Sequence, residues 1–293
     1  MDPFMERISA GEILISDGAL GTMLQQMGGY TICPEELNLS RPDILEEVAR
    51  LYVEAGSDIV HTNTFGASPL KLAAADLLEY ITEINQIAVQ AARRAAGQDI
   101  LVSGSIGPTG KLLLMNEATP QEIEIGYVHQ VGILVEAGVD LICIETMTDL
   151  IEAMLAVRAV KKVATDIPCM AAMTFDPTPH GFRTIMGVSI EDAVPRLLDE
   201  GADVVGSNCG HGLDTMIEVA RAFREISDAP LIIQSNAGLP ELIDWEVVYP
   251  ESPEMFADRV PDLIEAGVSV IGGCCGTTPE HIHAIREAID SHG

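Results

Sequence analysis

The sequence predicts an α/β protein, a (β/α)8 or TIM barrel of parallel strands, and three observations support this. Eight short apolar runs rich in β-branched residues alternate with stretches of helical period. The runs are apolar on both faces, which is typical of parallel strands covered by helices. No Gly-x-Gly-x-x-Gly follows the first run, which argues against an open dinucleotide-binding sheet. We therefore expect one domain over residues 1–293, with its active site at the C-terminal ends of the strands.

Each apolar run ends in small or polar residues, and a helix is expected after it. The runs cover residues 12–19, 57–66, 99–108, 140–147, 168–176, 202–210, 230–238 and 268–276. Helices are expected over residues 41–56, 68–97, 119–138, 189–201, 252–267 and 278–289, of which 68–97 is long enough for two. Thr119 is a typical N-cap, and Gly56 and Gly138 are typical helix ends. Pro195 and Pro261 fall inside helical patterns, so each kinks its helix or marks a shorter one.

Composition restricts the function classes. The chain has 293 residues and is 47% hydrophobic, which is enough for a full core. Its net charge of −29 repels phosphate backbones and anionic membranes, so neither nucleic acid nor a membrane is an expected partner. The chain has no signal-peptide pattern, and its six cysteines lack disulfide-like spacing, so a cytoplasmic location is expected. The opening MDPF is expected to be an addition before a natural start at Met5.

Three cysteines follow predicted strands on the same side of the barrel. Cys209 ends the sixth run, and Cys274 and Cys275 end the eighth. Zinc accepts thiolates, and three protein ligands leave its fourth position open for a substrate. Glycines beside the pair let both neighbours face inward, which the alternation of a regular strand forbids. Residue types alone leave open a metal site, buried small residues, or a strained disulfide between the adjacent pair.

The remaining cysteines are interpreted differently. Cys143 and Cys169 lie inside apolar runs and are expected to pack in the core. Cys33 lies in an early loop and has no evident partner. The longest irregular piece, residues 238–253, contains Trp245 and is expected to form a lid or a wall of the barrel mouth.

Several segments together resemble the homocysteine S-methyltransferase family, and the match extends over nearly the whole chain. These are DGALGT (17–22), NTFGAS (63–68), GSIGPTG (104–110), IETM (144–147), NCG (208–210) and GGCCGTTPEHI (272–282). Within the family, SIGPTG and SNAGLP (235–240) are most similar to the homocysteine-binding N-terminal module of cobalamin-dependent methionine synthase. The resemblance implies a (β/α)8 barrel and a methyltransferase that depends on one Zn²⁺ per chain.

The resemblance also implies roles for single residues. Cys209, Cys274 and Cys275 match the zinc ligands and are thereby the expected catalytic residues. Asp17 and Glu145 match acidic positions that hold the amino group of homocysteine. Asn236 lies in a segment that can supply an oxygen to zinc before the substrate arrives.

Other residues are assigned to the substrate pocket by position and chemistry. Backbone N–H groups near Gly18 and Gly107 are suited to the substrate carboxylate, and Asn63 is expected to line the pocket. His211 stands close to Cys209, and it is read as a substrate contact, a competing zinc ligand or a solvated loop residue.

The expected chemistry is attack of a zinc-bound thiolate on an activated methyl group, because a free thiol is mostly protonated at neutral pH. The SNAGLP and SIGPTG segments favour a methyl-corrinoid donor such as methylcobalamin. It is expected on a separate protein, since the chain is too short for folate and cobalamin domains. S-methylmethionine, S-adenosylmethionine or a betaine stay open as donors, as does another thiol as acceptor. A zinc hydrolase would favour His and carboxylate ligands. A non-catalytic zinc- or thiol-binding protein is the remaining alternative.

Overall fold

Parallel strands form the frame of the protein in the computed structural model, which describes residues 3–29, 31–243 and 246–292. The strands are β1 Leu14–Ile15, β2 Ile59–His61, β3 Leu101–Ile106, β4 Leu141–Met147, β5 Cys169–Met173, β6 Asp176–Thr178, β7 Gly181–Arg183, β8 Val204–Asn208, β9 Leu231–Ser235, β10 Glu241–Ile243, β11 Glu246–Val248 and β12 Val270–Gly273. Eight of them pair in parallel in the order β1-β12-β9-β8-β5-β4-β3-β2. A parallel bridge between Ser16 and Ile59 closes the seam between β1 and β2. The predicted (β/α)8 barrel is confirmed, and each of the eight apolar runs contains one barrel strand.

Helices cover the outside of the barrel. They are α1 Pro3–Ser9, α2 Leu20–Gln26, α3 Leu37–Ser40, α4 Pro42–Glu54, α5 Pro69–Ala74, α6 Ile81–Ala96, α7 Pro120–Ala137, α8 Leu150–Val163, α9 Ile190–Asp199, α10 Leu213–Ile226, α11 Pro253–Glu265 and α12 Pro279–His292. The predicted stretch 68–97 divides into α5 and α6, with a short 3₁₀ turn at Leu78–Tyr80 between them. Pro195 and Pro261 stay inside α9 and α11, so neither proline ends its helix.

The ends of α7 show how local sequence sets an element. The Thr119 hydroxyl accepts from the backbone N–H of Glu122 at 3.2 Å, and the Glu122 carboxylate accepts from the N–H of Thr119 at 2.8 Å. This reciprocal pair satisfies two N–H groups that a helix start would leave unpaired. At the other end, Gly138 has φ 94°, a left-handed conformation that glycine adopts without steric cost.

The lower half of the barrel interior, toward the N-terminal strand ends, is apolar. One buried cluster collects inward-facing side chains of seven strands and one residue of α1: Phe4, Leu14, Ile59, Leu141, Cys143, Met170, Ala172, Val204, Ile232 and Val270. Cys143 is buried here, as expected, and Cys169 is buried too. Phe4, although it belongs to the opening tetrapeptide, is fully buried against the strand starts.

The C-terminal rim carries features that the sequence did not predict. The antiparallel hairpin β6–β7 follows β5, and the hairpin β10–β11 follows β9. The second hairpin lies within the expected lid at 238–253, while Trp245 lies outside the described residues. Among the helices described, none combines the length and apolar character that crossing a lipid bilayer requires.

Candidate metal and substrate site

Three thiols meet at the C-terminal rim. Cys209 follows β8, and Cys274 and Cys275 follow β12. Their Sγ atoms all lie within 4.8 Å of one another, and each residue is partly exposed. Below, these three residues are called the thiol cluster.

The strand between β8 and β12 brings the thiol cluster together. The N–H of Cys209 donates to the carbonyl of Gln234 at 3.1 Å, and the N–H of Cys274 donates to Ser235 at 2.7 Å. The carbonyl of Cys275 accepts from the N–H of Ala237 at 3.0 Å. All three partners lie in β9 or just after it, so one strand end fixes the backbone of all three cysteines.

Unusual backbone conformations aim the sulfurs inward. Cys209 itself has φ 63°, and Gly276, directly after the pair, has φ 81°. A non-glycine residue in the left-handed region is strained, and such strain often marks functional sites. A Cβ added to Gly276 would lie 2.1 Å from the Tyr249 ring, so a glycine is also required there by space.

Electrostatics in the thiol cluster allow one thiolate without a cation. Hydrogen bonds from Cys274 and Cys275 lower the pKa of Cys209 to about 3. The same contact with Cys209 raises the pKa of Cys275 to about 11 and that of Cys274 well above the ordinary thiol value. Ionising all three sulfurs therefore requires a positive charge between them. Three convergent sulfur donors with an open side fit a zinc ion.

Asn236 places an amide beside the thiol cluster. Its side chain hydrogen-bonds to Cys209, which also lowers the pKa of that thiol. The residue is 4% exposed, and its Oδ1 is buried without a hydrogen-bond partner. The neighbouring His211 is engaged elsewhere, because its Nε2 lies 3.0 Å from Asp176 Oδ1 in β6. Asn236 therefore has a buried oxygen without a partner beside the thiol cluster, whereas one ring nitrogen of His211 is already paired.

Asp17 and Glu145 lie on the same rim. Both Asp17 oxygens are held by His61: Oδ1 lies 2.6 Å from Nδ1, and Oδ2 accepts from the backbone N–H at 2.7 Å. Glu145 Oε1 accepts from the Ser105 hydroxyl at 2.5 Å, and burial raises the pKa of this carboxyl. The two acids share a pocket with His61, since a ring nitrogen of His61 and a Glu145 oxygen lie within 4.8 Å of each other.

Asn208 links this acidic pocket to the thiol cluster. Its Nδ2 lies 3.4 Å from Glu145 Oε2 and 3.9 Å from Cys274 Sγ. Its Oδ1 accepts from the backbone N–H of Thr146 at 2.6 Å, which fixes the side chain between the two groups. A small ligand with a sulfur at one end and an ammonium at the other spans such an arrangement.

Gly18 and Asn63 occupy more crowded positions. A Cβ on Gly18 would lie 2.7 Å from Thr277 Oγ1 and 2.8 Å from Tyr52 Oη, so the tight approach requires glycine. The Nδ2 group of Asn63 donates to the carbonyl of Pro34 at 2.9 Å and to Asn38 Oδ1 at 2.7 Å. Both amide hydrogens of Asn63 are therefore used, one by Pro34 ahead of α3 and one by Asn38 within it, and a pocket role for this residue stays a prediction.

Two functional candidates were missed from the sequence, namely His61 and Asn208. His61 occupies the inward-facing position two residues after Ile59 in β2, and a strict period of two would have found it. Asn208 directly precedes Cys209 in the NCG segment. The sequence gives no sign that its side chain contacts both Glu145 and Cys274.

Comparison with known proteins identifies the family of this chain. The family described as Homocysteine S-methyltransferase matches residues 14–289. The methionine synthase of Mycobacterium leprae (strain TN) is 33% identical over 298 residues, covering 96% of this chain and 24% of that protein. The methionine synthase of Mycobacterium tuberculosis (strain ATCC 25618 / H37Rv) is 34% identical over 295 residues, with 94% and 24% covered. The chain thus spans about a quarter of the length of these relatives.

Solved structures share the fold. The homocysteine methyltransferase MmuM from Escherichia coli, in its metallated form, superposes with a TM-score of 0.80 at 23% identity, covering 98% of this chain and 99% of that one. A methyltransferase from Methanosarcina mazei gives a TM-score of 0.64 at 13% identity, covering 99% and 98%. Because the family match extends through all eight barrel strands, the chain belongs to the homocysteine S-methyltransferase family.

Proposed function

We propose that this protein transfers a methyl group to the sulfur of homocysteine, at a zinc ion held by Cys209, Cys274 and Cys275, and so forms methionine. The observation that carries the proposal is the convergence of the three Sγ atoms within 4.8 Å beside an acidic pocket. Membership of the family supports the reaction class.

The thiol cluster would hold the metal and leave one side open to the substrate sulfur. When bound, a zinc ion supplies the charge that keeps a substrate thiol ionised at neutral pH, and its three thiolate ligands leave that sulfur electron-rich. The sulfur's electron pair forms the new bond to the methyl carbon. The bond between that carbon and the donor breaks, and its electron pair stays with the donor.

The acidic pocket would orient the other end of homocysteine. Asp17 and Glu145 accept from the ammonium in charge-assisted hydrogen bonds, and N–H groups near Gly18 take the carboxylate. Asn208 sets the separation between this pocket and Cys274. Holding both ends of a flexible amino acid fixes its sulfur for an in-line transfer.

The methyl donor is proposed to be a methyl-corrinoid, such as methylcobalamin on a partner protein. The support is the similarity to two methionine synthases and the SIGPTG and SNAGLP segments. S-methylmethionine, S-adenosylmethionine and betaine are the competing donors, and another thiol is the competing acceptor.

The first experiment measures zinc per chain together with methionine formed from homocysteine, offering methylcobalamin, S-methylmethionine, S-adenosylmethionine and betaine in parallel. We expect one zinc and turnover with methylcobalamin. Turnover with a sulfonium or betaine alone would reject the corrinoid donor. Zinc held tightly with no homocysteine binding would reject the enzyme in favour of a structural zinc protein.

The thiol cluster is tested by Cys274→Ala, with Cys33→Ala as a matched control. Cys33 is also a partly exposed thiol but lies outside the cluster, where its Sγ contacts Glu35 at 3.2 Å. Removing one sulfur ligand should abolish zinc binding and lower the transfer rate by more than about 100-fold. The circular dichroism spectrum should stay that of the wild type, because the core does not depend on the rim. A Cys274→Ala protein that keeps zinc and full activity would contradict methyl transfer at a zinc ion held by the thiol cluster.

A further inference from the structure

We infer that His61 is a positioning residue for substrate selection: it orients Asp17 and supplies the counter-charge that lets Asp17 and Glu145 share one pocket for an amino-bearing thiol. The inference rests on the proposed function, since it takes the acidic pocket as the site of the substrate ammonium.

The first observation is the double contact between His61 and Asp17. The backbone N–H of His61 binds one carboxylate oxygen at 2.7 Å, and ring atom Nδ1 lies 2.6 Å from the other. Both side chains are nearly inaccessible, with 7% and 5% of their surface exposed. Two contacts from one residue allow a single orientation of the carboxylate, so its remaining lone pairs point in fixed directions.

The second observation is what surrounds the rest of the ring. A ring nitrogen of His61, the Cys143 sulfur and a Glu145 oxygen lie within 4.8 Å of one another. Nε2 is buried and has no hydrogen-bond partner. Among the described residues, the titratable groups that these contacts place against His61 are Asp17, which follows β1, and Cys143 and Glu145 of β4. The imidazole therefore contacts the Asp17 carboxylate and lies within 4.8 Å of the Glu145 carboxyl group.

The third observation concerns charge. Burial opposes a charged imidazole, but the Asp17 carboxylate raises the pKa of His61 well above its ordinary value, which favours the charged ring. In turn, the charge of His61 opposes the upward shift that burial imposes on the pKa of Glu145. With all three groups ionised, two carboxylates and one imidazolium carry one net negative charge, and a substrate ammonium would neutralise it and favour this ionised form. Buried charges are tolerated where they are paired.

A consequence is selectivity for thiols that carry an amine. Homocysteine brings one ammonium and completes the charge balance. 4-Mercaptobutanoate has the same chain, thiol and carboxylate but no amine, so it leaves the pocket with an unpaired charge. The zinc-loaded protein should therefore prefer homocysteine strongly, and His61 should be required for that preference.

The test compares binding of the two thiols by titration calorimetry on zinc-loaded protein, for the wild type and three variants. His61→Leu removes the ring contact and the charge, while His61→Asn keeps a side-chain N–H near the position of Nδ1. Ser103→Ala is the matched control, because Ser103 pairs in register with His61 and its buried Oγ has no partner. Zinc content and melting temperature are measured for each variant.

For His61→Leu we expect homocysteine affinity to fall about tenfold or more, because Asp17 loses its fixed orientation and Glu145 loses the charge that favours its carboxylate form. Affinity for 4-mercaptobutanoate should change less than about twofold, within the scatter of single contacts. His61→Asn should keep part of the wild-type preference for homocysteine. Ser103→Ala should keep all of that preference. If His61→Leu is too unstable to load zinc, the ratio of homocysteine affinity to 4-mercaptobutanoate affinity is measured on His61→Asn. That ratio must be lower than in the wild type but above one.

Three outcomes would overturn the inference. One is a wild type that binds both thiols equally, whether or not any methyl donor gives turnover. Another is an equal loss for both thiols in the His61 variants, which would mean a purely structural role. The third is a second zinc per chain that disappears with His61, because Nε2 would then be a metal ligand rather than a counter-charge. Failure of all methyl donors with homocysteine selectivity intact would reject the proposed reaction and leave this inference standing.

Discussion

At the scale of single residues, Asn236 has a buried amide oxygen without a hydrogen-bond partner beside the thiol cluster. The same amide hydrogen-bonds to Cys209. Buried polar atoms are almost always satisfied, so an exception calls for an explanation. A metal ligand that occupies the open side of the thiol cluster only before the substrate sulfur arrives would explain it.

Asn236→Ala should therefore weaken zinc binding in the substrate-free protein only. We expect a loss of about 10- to 100-fold in zinc affinity without homocysteine, and little change when homocysteine is bound. Competition with a chelator, with and without homocysteine, measures both. His211→Ala is the control, because its ring is paired with Asp176 and should leave both affinities unaltered. An equal loss with and without homocysteine would contradict the exchange of ligands.

The sequence predicted the site residues that stand at strand ends but not those whose position depends on how the strands pair. Cys209, Asp17 and Glu145 stand at strand ends, where a parallel barrel collects side chains whatever their detailed geometry. His61 was missed because β2 is buried on both faces, so a period of two identifies its inward position only once Ile59 is known to face inward. The pairing of His61 with Asp17 depends on the closure of β1 against β2, which no local pattern encodes.

At the scale of elements, glycines shape the loops that carry the thiol cluster, and Gly276→Ala tests this. Gly276 has φ 81° and no room for a Cβ beside Tyr249, whereas Gly138 at the end of α7 has φ 94° and open space. We expect Gly276→Ala to lower zinc affinity about 10- to 100-fold by displacing Cys275, as for loss of an outer-shell support. Gly138→Ala should lower the free energy of unfolding by about 1–2 kcal/mol and leave zinc affinity alone. Equal zinc affinities in the two variants would contradict a shaping role for Gly276.

Helices and strands were predictable where a helix with one apolar face follows an apolar strand and this pattern repeats along the chain. The 68–97 stretch was expected to allow two helices, and it forms α5 and α6. The hairpins β6–β7 and β10–β11 were not predicted, since each strand has three residues and most of their described side chains are exposed. Such short exposed strands leave no hydrophobic period to detect.

At the scale of the molecule, the barrel divides into two halves with different tasks. The lower half is an apolar cluster that spans the strand starts, and the upper half carries the thiol cluster and the acidic pocket. The eight-fold alternation of strands and helices made the barrel predictable. The contribution of α1 was not predictable, because one aromatic residue within a seven-residue helix shows no hydrophobic period.

Phe4→Ala tests whether α1 forms the floor of the barrel. Phe4 is fully buried in the apolar cluster, so its truncation should lower the free energy of unfolding by about 3–5 kcal/mol. Ile125→Ala on the exposed face of α7, where the side chain is 69% exposed, should change it by less than about 0.5 kcal/mol. Denaturant unfolding measures both, and zinc content and homocysteine affinity should stay those of the wild type because the site is at the other end of the strands. A Phe4→Ala protein with unaltered stability would show that the floor does not need α1, and a loss of zinc at full stability would show that the two halves are coupled.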